Sequence, residues 1–274
     1  MKNVVICDMK RSAFARGGKG KLVTTRLDTL SAELVTHLLE QYPTLKKTDI
    51  EEFGLGQVLH ADELLNMGSA QIAHLSGLPY EMSKFEVNRQ CGSSMEVVHR
   101  MTHAMMLGLY DTGIAMGVER MEKILSLQSG KPNRITSINP QYFKYLSVEQ
   151  SSLSQSYQEQ FRHPIPSEIL ASSPLSTMLQ TAQNVADMYG ITREEMDDFS
   201  YKSHIKYAES RRLGFYKDEI VPLMIEEPVF LSDGSVDFTQ RGPSFSFDID
   251  EGYRPDISLD NLAHLNPVKC VQSY

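Results

Sequence analysis

The residues best suited to chemistry in this sequence lie at positions 88–95, which read Asn-Arg-Gln-Cys-Gly-Ser-Ser-Met. Residues 85–87 before them are typical of a strand end, and the good helix formers at 95–109 predict a helix. Cys91 therefore falls where a strand turns into a helix. A thiol at a helix start lies beside unpaired backbone N–H groups and the positive end of the helix dipole, which favour the nucleophilic thiolate.

A second interpretation of Cys91 is structural, because an isolated cysteine is commonly a buried small apolar residue. Three small residues follow the sulfur, Gly92, Ser93 and Ser94. They leave room for another molecule to approach it closely. The order strand–Cys–helix with small residues after the thiol favours the nucleophile.

The composition indicates a globular protein and excludes several classes of function. Of the 274 residues, 41% are hydrophobic and 23% are charged, and the net charge of −8 argues against a nucleic-acid surface. No apolar run is as long as a membrane-spanning helix, and the start does not resemble a signal peptide. The three cysteines are Cys7, Cys91 and Cys270. Their wide spacing predicts neither a disulfide framework nor a zinc site, so we expect a reducing, cytoplasmic compartment.

The first 120 residues predict a largely parallel α/β sheet. We expect strands at 4–7, 53–59, 84–87 and 112–118, with Cys7 in the core as part of the first strand. A helix with a leucine stripe, capped by Thr25, a second helix at 66–75 and a third at 95–109 alternate with them. In such β-α-β-α-β-α-β folds the loops at the carboxyl ends of the strands contain the active site, and Cys91 lies on one.

The helix after Cys91 has apolar residues, many of them methionines, around most of its circumference. Such a helix is normally enclosed by protein. His99 and His103 lie one turn apart on it, but no third ligand is near, so we expect no metal site.

The rest of the chain has weaker patterns. Residues 126–160 are rich in Ser, Gln, Tyr and Asn and are typical of a loop or lid. Helices are predicted at 177–189 and, after a capping box at Thr192, up to Leu213. Short strands are expected at 220–223 and 228–231, and a short helix at 259–265.

The segment around Cys91 resembles the acyl-accepting cysteine motif of thiolases, especially those of bacterial fatty-acid β-oxidation. Weaker similarities follow in the family's order. They are Asp8-Met9-Lys10-Arg11-Ser12-Ala13-Phe14, Thr181-Ala182-Gln183-Asn184-Val185-Ala186, Asp218-Glu219-Ile220-Val221-Pro222 and Arg254-Pro255-Asp256 followed by Leu262-Ala263-His264-Leu265-Asn266-Pro267.

The resemblance implies an α/β fold: a mostly parallel thiolase-like half with an inserted α-rich loop domain. Residues 1–120 would form the N-terminal half without its last strand, 121–250 the loop domain, and 251–274 a connector that diverges at its end. The family's second, similar half would be absent.

The resemblance also implies acyl transfer between an acyl-CoA and CoA, with coenzyme A as a substrate and no separate cofactor. Cys91 would be the nucleophile that forms an acyl-thioester, and its own backbone N–H would be an oxyanion donor. Arg254 corresponds to a family arginine that contacts CoA. In contrast, Leu179 stands where the family has Gly, which puts CoA contacts there in doubt.

The family's two further catalytic motifs, Gly-His-Pro and Cys-x-Gly, belong to its second half and are missing from these residues. His163 follows Arg162 rather than Gly, and Cys270 is not followed by x-Gly. We therefore expect a catalytically incomplete chain. Solvating one face of the helix after Cys91 would cost roughly 10 kcal/mol, so we expect a homo-oligomer or a partner chain to cover it.

Two other functions remain open. The chain would be a non-catalytic CoA-binding or interaction remnant of a thiolase if no acyl group reached Cys91. It would alternatively be a decarboxylating or condensing relative, although the cysteine motif together with the Thr-Ala-Gln-Asn helix favours a degradative thiolase.

Overall fold

The computed structural model describes residues 2–60, 62–64, 67–120 and 178–267. Up to residue 120, helices and strands alternate: α1 (Leu27–Glu40), β1 (Glu52–Gly56), α2 (Gly68–Leu75), β2 (Ser83–Val87), α3 (Ser93–Met106) and β3 (Gly113–Gly117). Single 3-10 turns precede β1 and α2, at Lys47–Asp49 and Asp62–Leu64. The later elements are α4 (Met178–Tyr189), α5 (Arg193–Arg212), β4 (Leu223–Phe230), β5 (Val236–Phe247) and α6 (Leu259–Ala263).

The central sheet has the strand order β2-β1-β3, and both pairings are parallel. Gly56 at the end of β1 lies opposite Val87 of β2 and Gly117 of β3. The carboxyl ends of all three strands therefore meet at one edge, the edge that β2 leaves on its way to Cys91. The strands predicted at 53–59, 84–87 and 112–118 and the β-α-β pattern are confirmed.

The strand predicted at residues 4–7 is wrong. These residues belong to no strand, and Val5 and Ile6 are 74% and 77% exposed. Cys7, expected in the core, is exposed as well. A β-branched run forms a strand only where a neighbouring strand accepts its hydrogen bonds, and no described strand lies beside this segment.

Along β1, residues with bulky side chains alternate with glycines. Phe53 and Leu55 are fully buried, and they join Leu30 of α1 and Ile72 of α2 in the hydrophobic core. Glycines occupy the alternate positions of β1, which face α3. Successive side chains of a strand point to opposite faces of the sheet, so one face of β1 is hydrophobic and the face toward α3 has almost no side chains.

The start of α1 shows why a cap was mispredicted. Thr25 does not cap it; the residue before the helix is Arg26, with no side-chain cap. Instead the Leu27 N–H donates to Glu63 Oε1 at 2.7 Å, a carboxylate 36 residues away. Arg120, whose side chain is 7% exposed, lies 3.6 Å from the same oxygen. The Glu63 carboxylate, held beside Arg120, thus satisfies the helix N-terminus in place of the expected Thr25 hydroxyl.

Helix α3 is more one-sided than its sequence predicts. Ser93, Val97 and Met101 are buried at helical spacing, whereas Met95 is 65% exposed and Leu107, just after the helix, 73%. One apolar side of α3 is therefore exposed within the described residues, and its expected cover by a second copy or a partner chain stays a prediction.

The hairpin of β4 and β5 is anchored to the N-terminal loop by Arg11. Its main chain pairs with Glu219 and Val221, and its side chain binds Glu219 and, in a bidentate contact at 2.7 and 3.0 Å, Asp250. The antiparallel hairpin replaces the two short strands predicted here: β4 covers 228–230, and β5 was not predicted. Ile220 forms only an isolated bridge to Arg11.

The chain divides into two compact units, Met1–Ser126 with Ser210–Tyr253 and Leu127–Glu209 with Arg254–Tyr274. In the second, α4 ends at Tyr189, and Gly190 directly after it has a φ of +64°. The predicted capping box is present, since the Thr192 N–H donates to Glu195 Oε2 at 2.9 Å and the Glu195 N–H to Thr192 Oγ1 at 3.2 Å. The domain boundaries expected from sequence stay a prediction, and the polar segment 126–160 lies outside the described residues. Among the described helices, none is both long and apolar enough to cross a membrane.

Asp28, in the first turn of α1, makes stability depend on pH. Burial opposes its ionisation, but hydrogen bonds from Arg26 and the Thr29 N–H outweigh burial and hold the pKa of this carboxyl below 3.8. A lowered folded-state pKa means that the contribution is complete above the unfolded value and is lost as pH falls through the folded value. We expect Asp28→Asn to lower the free energy of unfolding by about 1–2 kcal/mol at pH 7.

Urea titrations across the acid range test this expectation. The difference between the wild type and Asp28→Asn should begin to shrink below about pH 4, where the unfolded carboxyl takes up a proton. It should disappear only once pH falls below the lowered pKa of the folded carboxyl, where both side chains are uncharged. Asp111→Asn, which removes an exposed ion pair with Lys2, serves as the control and should change stability little. A difference for Asp28→Asn that is constant with pH would contradict the assignment.

Candidate active site

Cys91 lies in the turn between β2 and α3, and it is exposed. Gly92 is the N-cap of α3, so the cysteine precedes the first helical residue, Ser93, by two positions. The strand–Cys–helix turn predicted from sequence is confirmed, and the buried, structural interpretation of this thiol is wrong. An exposed thiol here can act as a nucleophile toward a reagent that approaches the strand ends.

The hydroxyl of Ser93 closes the turn around the cysteine. Ser93 Oγ donates to the Gln90 carbonyl at 2.6 Å and accepts from the Arg89 N–H at 2.8 Å. The Ser93 N–H also donates to the same Gln90 carbonyl, at 3.0 Å. Because Ser93 is only 3% exposed, water does not replace these bonds readily, and they hold both ends of the four-residue turn that contains Cys91.

Asn88 ties the same turn to the neighbouring strand. Its side-chain oxygen accepts from the Gln90 N–H at 3.1 Å, while its amide nitrogen donates to the Val58 carbonyl at 2.8 Å, just beyond β1. Gln90 itself has φ +52°, a left-handed conformation that is unfavourable for a residue with a Cβ. The surrounding hydrogen bonds hold it there, as is common for residues next to a reactive group.

Glu119 joins the ends of β1 and β3. Its two carboxylate oxygens accept from the Val58 and Leu59 N–H groups at 2.6 and 3.3 Å. These backbone donors lie beyond the end of the β1 ladder, so without the carboxylate they would lack a strand partner. The edge of the sheet beside the cysteine is thereby fixed on both sides, by Asn88 and by Glu119.

A cavity of about 510 Å³ opens beside Cys91. Its walls are mainly apolar and come from the N-terminal loop, α1 and the carboxyl ends of β1 and β3. The lining includes Ala13, Phe14, Ala15, Leu22, Val23, Leu27, Leu30, Leu34, Met116 and Val118, with Gln90, Ser93, Ser94, Glu119 and Arg120 near the strand ends. The thiol therefore borders a space large enough for a small apolar group.

The other residues singled out from sequence lie elsewhere. Arg254 is exposed and belongs to the second unit, where its N–H donates to His204 Nδ1 at 3.2 Å. His99 and His103 are both exposed. Across the described ranges, no group of three His, Cys, Asp or Glu side chains is arranged to hold a metal ion. His163 and Cys270 lie outside the described residues.

Three positioning residues were missed by the sequence analysis: Asn88, Ser93 and Glu119. Asn88 and Ser93 stand inside the cysteine motif, where Ser93 was noted only for its small size. Glu119 lies two residues after the end of β3, and a carboxylate at the carboxyl end of a parallel strand is a recognisable signal. Its role depends on backbone donors about 60 residues earlier, which no local pattern reveals.

Replacing Ser93 by Ala should weaken the turn, because the part-buried Arg89 N–H and the Gln90 carbonyl would each lose a hydrogen-bond partner. We expect the free energy of unfolding to fall by about 1–3 kcal/mol. The matched control is Ser94→Ala at the neighbouring exposed serine, for which we expect a change within about 0.5 kcal/mol. Equal losses for the two variants in chemical denaturation would contradict the role given to Ser93.

Comparison with protein families matches residues 4–270 of this chain to the thiolase N-terminal domain. Among curated proteins, the 3-ketoacyl-CoA thiolase of Bacillus subtilis is 30% identical over 270 residues, which are 97% of this chain and 59% of that protein. A beta-ketoadipyl-CoA thiolase of Acinetobacter baylyi is 29% identical over 98% of this chain and 60% of its own length. The chain thus spans about three-fifths of the length of the relatives it matches.

Solved structures share the fold. The dimeric peroxisomal thiolase of Saccharomyces cerevisiae superposes with a TM-score of 0.67 at 26% identity, over 96% of this chain and 57% of that one. The acetyl-CoA acetyltransferase of Bacillus anthracis gives 0.65 at 23% identity, over 94% and 57%. Because the family match covers nearly the whole sequence, this chain belongs to the thiolase family and corresponds to its N-terminal domain.

Proposed function

We propose that this chain carries the acyl-accepting step of a thiolase-type acyl-CoA acyltransferase, with Cys91 as the nucleophile. The observation that carries the proposal is the exposed Cys91 thiol at the start of α3, at the carboxyl edge of a parallel sheet. Relatives named 3-ketoacyl-CoA thiolase and beta-ketoadipyl-CoA thiolase align over nearly all of the chain and support the substrate class.

The proposed step is a thioester exchange. The Cys91 sulfur attacks the carbonyl carbon of an acyl-CoA, and a bond forms between them as the carbonyl oxygen becomes an oxyanion. Collapse of this intermediate breaks the bond to the CoA sulfur, which leaves and takes up the proton that Cys91 gave up. The Cys91 backbone N–H is the candidate donor for the oxyanion, because it belongs to the turn that presents the sulfur.

Carbon–carbon bond cleavage needs more than this step. The resemblance assigns it to a His in Gly-His-Pro and a second Cys in Cys-x-Gly, motifs that do not occur in these 274 residues. Loss of a catalytic base or of an oxyanion donor each costs about 10² to 10⁴ in rate. We therefore propose that these residues alone support acylation of Cys91 and not efficient thiolysis of 3-ketoacyl-CoA.

The remaining parts of the proposal concern binding. Arg254 is proposed to contact CoA, since an exposed guanidinium suits its phosphates. The exposed apolar side chains of Met95 and Leu107 at α3 suit cover by a second copy or a partner chain. The compartment proposed is the cytoplasm, where an exposed thiol such as that of Cys91 stays reduced.

Incubation with acetyl-CoA, followed by intact-mass and peptide analysis, tests the proposed function. We expect one acetyl group on Cys91, none on the Cys91→Ser variant, and unchanged labelling of Cys7→Ser, which removes the other exposed thiol. With acetoacetyl-CoA we expect an acyl adduct but little released acetyl-CoA.

The absence of any adduct on the wild type would overturn the catalytic proposal. Should CoA still bind in that case, measured by calorimetry, the chain would be a non-catalytic CoA-binding protein. Labelling of Cys91→Ser to the same extent as the wild type would equally contradict the assignment of the nucleophile.

A further inference from the structure

Helix α3 rests on strand positions that have no side chain. Gly54 and Gly56 of β1 and Gly113 and Gly117 of β3 all face it, and a Cβ built on any of the four would overlap an atom of the helix. The contacts follow the helix in order: Ser94 above Gly56 and Gly117, Val97 above Gly54, and Met101 above Gly113. The sheet thus has a glycine floor on this face, and the helix lies directly on the strand backbones.

The contact is tightest at the end of the helix next to Cys91. A Cβ on Gly56 would lie 2.5 Å from the Ser94 nitrogen and 2.7 Å from both Ser93 C and Ser94 Cα. These are backbone atoms, which cannot rotate away. A Cβ there would therefore have to lift the first turn of α3 off the strand.

At Gly117 the overlapping group is a side chain. A Cβ there would collide with Ser94 Oγ and lie 2.9 Å from Ser94 Cβ. The two glycines thus meet the same helical residue from two strands, one through its backbone and one through its side chain. Gly54 and Gly113 meet side-chain atoms of Val97 and Met101, farther along the helix.

We infer that Gly56 and Gly117 are positioning residues for Cys91: their missing side chains set the height of the first turn of α3, and with it the place of the reactive sulfur. The link from Ser94 to the thiol is short, because Ser93 is bonded through its hydroxyl to Arg89 and Gln90 on the other side of Cys91. A displaced Ser93–Ser94 pair therefore displaces the whole turn. The inference rests on the proposed function, since it gives these glycines a role in acyl transfer.

The geometry predicts that Ser94→Gly restores acetylation in a Gly117 variant but not in a Gly56 variant. Ser94→Gly removes both atoms that a Cβ on Gly117 would meet, so it should make room for Gly117→Ala. It removes none of the backbone atoms that a Cβ on Gly56 would meet, so Gly56→Ala should stay impaired. A residue that mattered only for overall stability would not show this pairing.

The experiment measures the rate of Cys91 acetylation by acetyl-CoA and, in the same samples, iodoacetamide alkylation of Cys91 relative to Cys7. Circular dichroism verifies that each variant is folded. We expect Gly117→Ala and Gly56→Ala to slow acetylation by about 10- to 100-fold, the cost of misplacing a reactive group by about 1 Å. The alkylation ratio should fall about two- to fivefold as the thiol leaves its place at the helix start.

Two further results are expected from the variants. Gly117→Ala/Ser94→Gly should acetylate within about threefold of Ser94→Gly alone, whereas Gly56→Ala/Ser94→Gly should not recover. Gly252→Ala, where no heavy atom lies within 4 Å, is the neutral control. Val97→Ala, a fully buried truncation, is the control for lost stability without a push on the helix, and it should keep the alkylation ratio.

The inference is overturned if folded Gly117→Ala keeps the wild-type acetylation rate and alkylation ratio, or if Ser94→Gly rescues both glycine variants alike. Should Gly117→Ala not fold, Ser94→Thr takes its place, because it adds one methyl group on the other side of the same contact. A wild type that is alkylated but never acetylated would refute the proposed function alone. The alkylation ratios would then still decide the positioning role.

Discussion

The first turn of α3 lies directly on the strand backbones, and this contact limits where the turn that presents Cys91 can lie. A helix normally packs on a sheet through a layer of side chains, but here glycines remove that layer at the end that carries the cysteine. Close-packed interiors transmit small displacements instead of absorbing them. A helix that packs directly on strand backbone has little freedom to shift. The turn before it, which contains Cys91, is therefore held in a defined position.

The polar contacts around Cys91 hold its strained turn in place. Gln90 is held in a left-handed conformation, and Ser93 and Asn88 bond both sides of it. Glu119 accepts a hydrogen bond from the Val58 N–H, just after β1. None of these groups reacts, yet each removes a way in which the turn would relax. The residue that reacts is therefore different from the residues that hold it in place. A nucleophile on a turn needs such supporting residues, because the turn alone would not keep it in position.

Local patterns in the sequence predicted the parts of the fold that depend on local interactions. Strand–helix alternation, the capping box at Thr192 and the Cys91 turn come from periodicity and from short-range hydrogen bonds, and they are confirmed. The failures depend on distant partners. Val5 and Ile6 have strand-forming side chains but no described strand beside them, and α1 is capped by Glu63 and not by Thr25. The glycine floor was invisible because a glycine in a strand pattern indicates close approach only once the neighbour is known.

The proposed acyl transfer makes different demands on the reacting carbonyl and on the rest of a CoA thioester. In that proposal bond exchange would happen at one carbonyl carbon, and Cys91 with the groups that hold its turn lies in the first unit. The phosphates of CoA do not change during the thioester exchange. A contact such as that proposed for Arg254 would therefore bind the ground state and the transition state equally. Uniform binding of this kind lowers the concentration of substrate needed without changing the rate of the chemical step. Within the proposed function, placement of the Cys91 sulfur would therefore govern the chemical rate, and a contact such as that of Arg254 would govern only the affinity for the CoA part of the substrate.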